Sequence, residues 1–121
     1  MLVLEDHPDI RDLLRRMLEG LGARVRVAED GLAGLRALQR VKPDAIVADL
    51  LMPRMDGVAF ARRVRRNPRW ANVPILAATA LGDDAHYLET WASGFDAHLT
   101  KPIEQEVLAR ALQAAVRRRR G

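Results

Sequence analysis

Ala45-Ile46-Val47-Ala48-Asp49 is an unbroken apolar run that ends on a carboxylate. A short run of this kind reads as a strand buried on both faces, as in a parallel sheet covered by helices. The pattern recurs along the chain. Val73–Ala78 is apolar and closes on Thr79, and Met1–Leu4 closes on Glu5-Asp6. Arg24–Ala28 alternates charge with valine, and Ala97–Leu99 is a short run before Thr100-Lys101-Pro102.

Helical patterns fill the intervals. Pro8 suits a first helical turn, and Ile10, Leu13, Leu14, Met17, Leu18 and Leu21 recur at helical spacing until Gly20 and Gly22 stop them. Asp30-Gly31 starts a helix over Leu32–Val41, which Lys42-Pro43 breaks. Val58–Arg66 is helical up to Asn67-Pro68. Asp83 caps a predicted fourth helix that runs to about Ser93, with Gly94 as its stop. A fifth extends from Ile103 to about Arg118, with Val107, Leu108, Ala111, Leu112, Ala115 and Val116 on one face. Five β–α units in succession predict an α/β fold with a parallel sheet and helices on both faces.

Composition narrows the chemistry. The chain has 121 residues, enough for one ordinary domain, and its 49% hydrophobic content supports a core filled by aliphatic side chains. Cysteine is absent, which excludes disulfides, a cysteine nucleophile and thiolate-ligated metals. No apolar run approaches the roughly 20 residues that cross a bilayer. The N-terminus meets acid too early for a signal peptide. A soluble, cytoplasmic domain is therefore expected. The net charge of +4 resides in Arg117–Arg120; without those four arginines, basic and acidic residues balance.

In open α/β sheets, ligands bind beyond the carboxyl ends of the strands. Those ends carry Glu5, Asp6, Asp49, Thr79 and Lys101. Any one of them alone is ordinary, since Asp is common in turns and Thr in strands. Together they would crowd three carboxylates into one crevice. Two carboxylates about 5 Å apart repel by about 3 kcal/mol at an effective dielectric near 20. Lys101 offsets one charge, and a divalent cation is the natural remainder. The donors are all hard oxygens, which favours Mg²⁺ over zinc or copper. An acid pair, a separate Asp, a hydroxyl and an ammonium match phosphoryl chemistry.

These residues resemble the response regulator receiver domains of bacterial two-component signalling. The resemblance rests on Leu2-Val3-Leu4-Glu5-Asp6, Val47-Ala48-Asp49-Leu50-Leu51-Met52-Pro53, Met55-Asp56-Gly57, Pro74–Ala80 and Leu99-Thr100-Lys101-Pro102, in order across nearly the whole chain. It implies a flavodoxin-like (βα)5 three-layer sandwich with strand order 2-1-3-4-5. It implies that Asp49 accepts a phosphoryl group from a phosphohistidine on a sensor histidine kinase or phosphotransfer protein. Glu5 and Asp6 would place Mg²⁺, with Asp49 and the backbone carbonyl of Leu51. Thr79 and Lys101 would hold phosphoryl oxygens, the Lys101-Pro102 bond would be cis, and Asp56 and Gly57 would shape the loop after the acceptor. The domain would catalyse only its own phosphorylation and dephosphorylation. The resemblance also allows a homodimer through the fourth helix, fifth strand and fifth helix.

Five positions depart from that pattern or stand outside it. His98 replaces the aromatic residue that switches inward with the threonine, and reads equally as a packed strand residue. His7 follows the acid pair where an acid is common. Trp70 reads as folded back onto the adjacent helix, with a partner anchor as the alternative; His86 reads as a solvent-facing helix residue, and Trp91 as packed on its own helix at the border of the signalling surface. Residues 1–116 read as the receiver, and 117–121 as a basic tail, a solvated helix end or the start of a linker. An aspartate-nucleophile phosphatase is disfavoured because Leu51 stands where its second Asp belongs. A docking or dimerisation module that works without phosphorylation is the remaining alternative. No direct nucleic-acid or membrane contact is expected, because only the terminal arginines would suggest one.

Overall fold

A computed structural model describes residues 1–52, 54–79 and 92–120. Its strands are β1 (Leu2–Leu4), β2 (Arg26–Ala28), β3 (Ile46–Asp49), β4 (Ile75–Thr79) and β5 (Ala97–Thr100). Its helices are α1 (Pro8–Gly20), α2 (Gly31–Arg40), α3 (Gly57–Arg66) and the C-terminal α4 (Gln105–Arg120). The strands form one parallel sheet in the order β2-β1-β3-β4-β5, as the resemblance implied. The helix expected from Asp83, with His86 and Trp91, lies outside the described residues apart from its last two positions.

Alternation along the apolar strands divides them between two cores. Leu2, Leu4, Ile46, Ala48, Ile75 and Ala77 face one side, where Leu38 of α2 and Phe60, Ala61 and Val64 of α3 cover them. Val3, Val47, Leu76 and Ala78 face the other, under Leu14 and Leu18 of α1 and Leu108 and Leu112 of α4. Both faces are apolar because both are covered. Trp70 is buried in the first core, so it packs inward from its loop.

Capping carboxylates set two helix starts. Asp30 accepts from the Ala33 N–H at 2.8 Å, and Asp56 accepts from the Ala59 N–H at 2.8 Å. Each satisfies a backbone donor that the first helical turn leaves unpaired.

Several boundaries shift from those the sequence suggests. β2 begins at Arg26, two residues later than expected, and β3 and β4 each extend to their polar terminal residue. Ala45 and Pro74 still touch the ladder, but each through its carbonyl, accepting from Leu2 and Ile46. α4 runs unbroken through Arg120, so the expected boundary after residue 116 falls inside a helix. Arg119 is not a solvated end: its Nε donates to Asp96 Oδ1 at 2.8 Å. The other Asp96 oxygen accepts from Arg65 Nη2 at 3.1 Å and from the Ile75 N–H at 2.9 Å. This buried charge cluster ties α3, β4, β5 and α4 together at the amino edge of the sheet.

Candidate functional site

Parallel registration brings the polar strand ends to one edge. Asp49 is the last residue of β3 and stands beside Ala78, while Thr79 closes β4 beside Thr100. Glu5 and Asp6 follow β1, which is flanked by β2 and β3. Lys101 follows β5. The sheet therefore gathers the five residues singled out in the sequence, from segments far apart in the chain.

Lys101 is the centre of the arrangement. Its Nζ lies 2.6 Å from Glu5 Oε1 and 3.1 Å from Asp49 Oδ2, bridging the two acids. The second Asp49 oxygen accepts from the Leu51 N–H at 3.2 Å. Glu5 is only 1% exposed, and Asp49 is nearly buried, whereas Asp6 is open to solvent. Carboxylate oxygens of Glu5, Asp6 and Asp49 all lie within 4.8 Å of one another. Thr79 Oγ1 donates to the Leu99 carbonyl at 3.4 Å, and its own carbonyl accepts from the Lys101 N–H at 2.8 Å.

The electrostatics follow from burial and crowding. Burial, together with a hydrogen bond to Asp49, pushes the Glu5 carboxyl up to about 7, against the pull of Lys101. Burial alone would lower Lys101, but the Glu5 hydrogen bond and the Asp49 and Glu5 charges outweigh it and leave the ammonium raised. The site thus holds one firm cation and, in Glu5, a carboxyl that keeps its proton more readily than usual. Three clustered hard-oxygen donors suit a small divalent cation.

The flanking loops fix this geometry. Asp56 caps α3, and the Gly57 N–H donates to the Leu50 carbonyl at 3.0 Å. The Lys101-Pro102 peptide is cis. His7 is the N-cap position of α1, and its N–H approaches Glu5 Oε2 at 3.5 Å. His98 stands in register with Ala77, and its ring centre lies 6.4 Å from that of Phe95. Burial lowers its pKa.

Two supporting side chains carry no sequence signature. Arg11, on α1, donates to the Glu5 carbonyl at 3.1 Å and steadies the backbone that presents the acid pair. Arg54 sits at φ +64 in the loop after β3 and forms ion pairs with Glu29 and Asp30. Arginine is not a residue type that announces a left-handed turn. Its effect is to tether the loop after Asp49 to the start of α2.

Comparison with known proteins gives a consistent result. Residues 1–113 match the family described as "Response regulator receiver domain". The chain is 37% identical over 118 residues to the DNA-binding dual master transcriptional regulator RpaA of Synechocystis, covering 98% of this chain and 49% of that one. It spans about half the length of several curated relatives that it matches. Among solved structures, the receiver domain of a Pseudomonas aeruginosa sensor histidine kinase has a TM-score of 0.87 at 32% identity, covering 95% of this chain and 94% of that one. That structure has a magnesium ion coordinated in its active-site cleft. Vibrio cholerae chemotaxis protein CheY4 has a TM-score of 0.88 at 32% identity, covering 94% of this chain and 95% of that one.

Proposed function

This chain belongs to the response regulator receiver domain family, the phosphoacceptor modules of two-component signalling, and on that premise we propose that Asp49 is its phosphoacceptor. The family is one of signalling domains rather than of classical enzymes. The observation that carries the proposal is the Lys101 ammonium bridging Glu5 and Asp49 beyond the carboxyl edge of the sheet.

In this reading, a carboxylate oxygen of Asp49 attacks the phosphorus of a phosphohistidine on a sensor kinase or phosphotransfer protein. The P–O bond forms as the P–N bond breaks, and the imidazole leaves with its electron pair. The work required of the protein is positioning and charge neutralisation. Lys101 transfers its hydrogen bond from the free carboxylate to a phosphoryl oxygen. The Thr79 hydroxyl turns from Leu99 to another. Glu5, Asp6, Asp49 and the Leu51 carbonyl would hold Mg²⁺, as their clustered hard oxygens fit. When bound, the ion supplies positive charge between the acid pair and the phosphoryl oxygens.

The added group brings about −1.5 to −2 charges to the edge. The readout is a shift in the surface around Thr79, His98 and the segment where the sequence leads one to expect a fourth helix. Partner docking or homodimerisation through the expected fourth helix, β5 and α4 would use that surface. We take residues 1–116 as the receiver unit, with 117–120 as a helical extension bonded back to it through Asp96. No described helix is long and apolar enough to cross a membrane, and a cytoplasmic setting suits the proposed phosphodonor.

Intact mass before and after exposure to acetyl phosphate with Mg²⁺ tests this reading. The wild type is expected to gain one phosphoryl group, and Asp49→Asn none. Unchanged labelling of the variant would exclude Asp49 as the acceptor.

A further inference from the structure

The open edge of the sheet carries a second feature, unrelated to the acid pair. β2 is the terminal strand and pairs only with β1 among the described residues. The Arg26 N–H donates to the Met1 carbonyl at 2.8 Å, and the Ala28 carbonyl accepts from the Glu5 N–H at 3.0 Å. Both residues thus turn their backbone groups inward. Val27, between them, turns its N–H and C=O outward by the alternation of a strand, and its residue surface is 43% exposed.

Beside this edge, between β2 and α2, runs a groove of about 440 Å³. Its cations are Arg26, Arg36 and Arg40, over a floor of Val27 and two alanines, and no acidic residue lines it. Arg24 and Lys42 extend the positive charge beyond its end. None of these five cations forms an ion pair with a described residue. Glu29 and Asp30, beyond the strand, are engaged by Arg54. Asp30 also feels the charge of Arg36, and Asp44 lines the neighbouring cavity with Arg24, Arg26 and Lys42.

We propose that this groove receives an extended acidic segment of a partner protein, laid along β2 as an added strand. Three independent features coincide there: an open strand edge, an aliphatic floor and three arginines that no described carboxylate pairs. Strand addition takes affinity from backbone hydrogen bonds and specificity from the side-chain surroundings. Here Val27 supplies the backbone groups, and Arg26, Arg36 and Arg40 select carboxylates. Nucleic acid fits less well, because no aromatic side chain lines the groove to stack a base. A second copy fits less well too, because its own β2 edge presents the same arginines. Charged edges of this kind prevent self-pairing; these arginines repel another copy while leaving the edge open to an acidic strand.

The test uses the 121-residue chain and a fluorescent peptide of about eight residues alternating Glu with Val, titrated by anisotropy. Saturable binding that weakens with salt is expected. Arg36→Glu with Arg40→Glu, both on the exposed surface of α2, is expected to weaken it at least about tenfold, a loss of about 1.4 kcal/mol, without changing the melting temperature. Val27→Pro removes the outward N–H and is expected to weaken binding similarly. If that variant does not fold, slowed exchange of the wild-type Val27 amide on adding peptide replaces it as the test of strand addition. The proposal is overturned by absence of saturable binding, by an unchanged affinity in the α2 double variant, or by tighter binding of a single-stranded oligonucleotide of equal charge. It is overturned equally if peptide binding leaves Val27 exchange unaltered.

Discussion

Replacing Gly57 with Ala probes how the acceptor carboxylate is held. A Cβ on Gly57 would run into the carbonyl oxygen of Asp49 and would lie 3.0 Å from Leu50 Cα and 3.2 Å from the Asp49 carbonyl carbon. All three are backbone atoms, so no side chain can swing away to relieve the clash. Relief means moving the segment that carries the acceptor, or opening the Gly57–Leu50 hydrogen bond. Overpacking of this kind typically costs about 1–3 kcal/mol. Gly57 opens α3, and a gain in helix propensity returns at most about 1 kcal/mol. A net loss of about 1–2 kcal/mol is therefore expected, lowering the melting temperature by roughly 3–10 °C in a domain of this size. Phosphoryl acceptance should fall further than stability, because a misplacement of about 1 Å costs on the order of a hundredfold in rate.

Gly20→Ala is the matched control. Its Cβ would meet only the side-chain amide nitrogen of Gln105, at 2.9 Å. That flexible group can move, at the cost of its exposed hydrogen bond to the Met17 carbonyl, which offsets a helix gain of about 1 kcal/mol or less and leaves stability nearly unchanged. Urea melts and intact-mass labelling with acetyl phosphate and Mg²⁺ measure both effects. A Gly57→Ala protein with the wild-type midpoint and labelling rate would refute the packing argument, as would indistinguishable behaviour of the two glycine variants.

Other substitutions test the remaining parts of the structure. The Glu5 carboxyl binds its proton more tightly folded than unfolded, at about 7 against an ordinary 4.5. Its favourable contribution is therefore complete below pH 4.5 and lost as pH rises through about 7. In Mg²⁺-free buffer, Glu5→Gln should gain up to about 3 kcal/mol on the wild type across that window, read by urea melts at several pH values; a constant difference refutes the assignment. Lys101→Met removes the shared cation, so its destabilisation should grow from pH 5 to pH 8, and its labelling should collapse. Asp96→Ala leaves Arg65 buried without its carboxylate and should cost about 3–5 kcal/mol. A loss below about 1 kcal/mol, the value of an exposed pair, would mean that water replaces the carboxylate.

Much of the site was legible because strand geometry does the gathering. Once Val47-Ala48-Asp49 and Ala77-Ala78-Thr79 are read as parallel strands, their polar ends must share an edge. The exact strand limits were not legible, because ladder pairing rather than hydropathy sets them. Val73 is as apolar as Ile75, yet strand β4 starts only at Ile75. Arg11 and Arg54 were missed for another reason: each acts across loops that sequence spacing does not relate. Arg65, Asp96 and Arg119 show the same limit. An arginine run reads as a solvated helix end until tertiary structure supplies the carboxylate that Arg118 and Arg119 meet. Trp70 was correctly placed off the surface, but its position in the core between sheet and helices needed the fold.

The Asp96 cluster also has a mechanical consequence. It pins α3, β4, β5 and the last turn of α4 at one end of strand β5, while Lys101 marks the other. Asp96 and Lys101 flank the four residues of β5 and so stand roughly 16 Å apart at a rise of about 3.3 Å per residue. A strand anchored at one end behaves as a cantilever: a load applied at its free tip deflects that tip most and its root least. Charge added beside Lys101 therefore loads the end of β5 that the Asp96 cluster does not hold, where the strand keeps its pairing to Thr79.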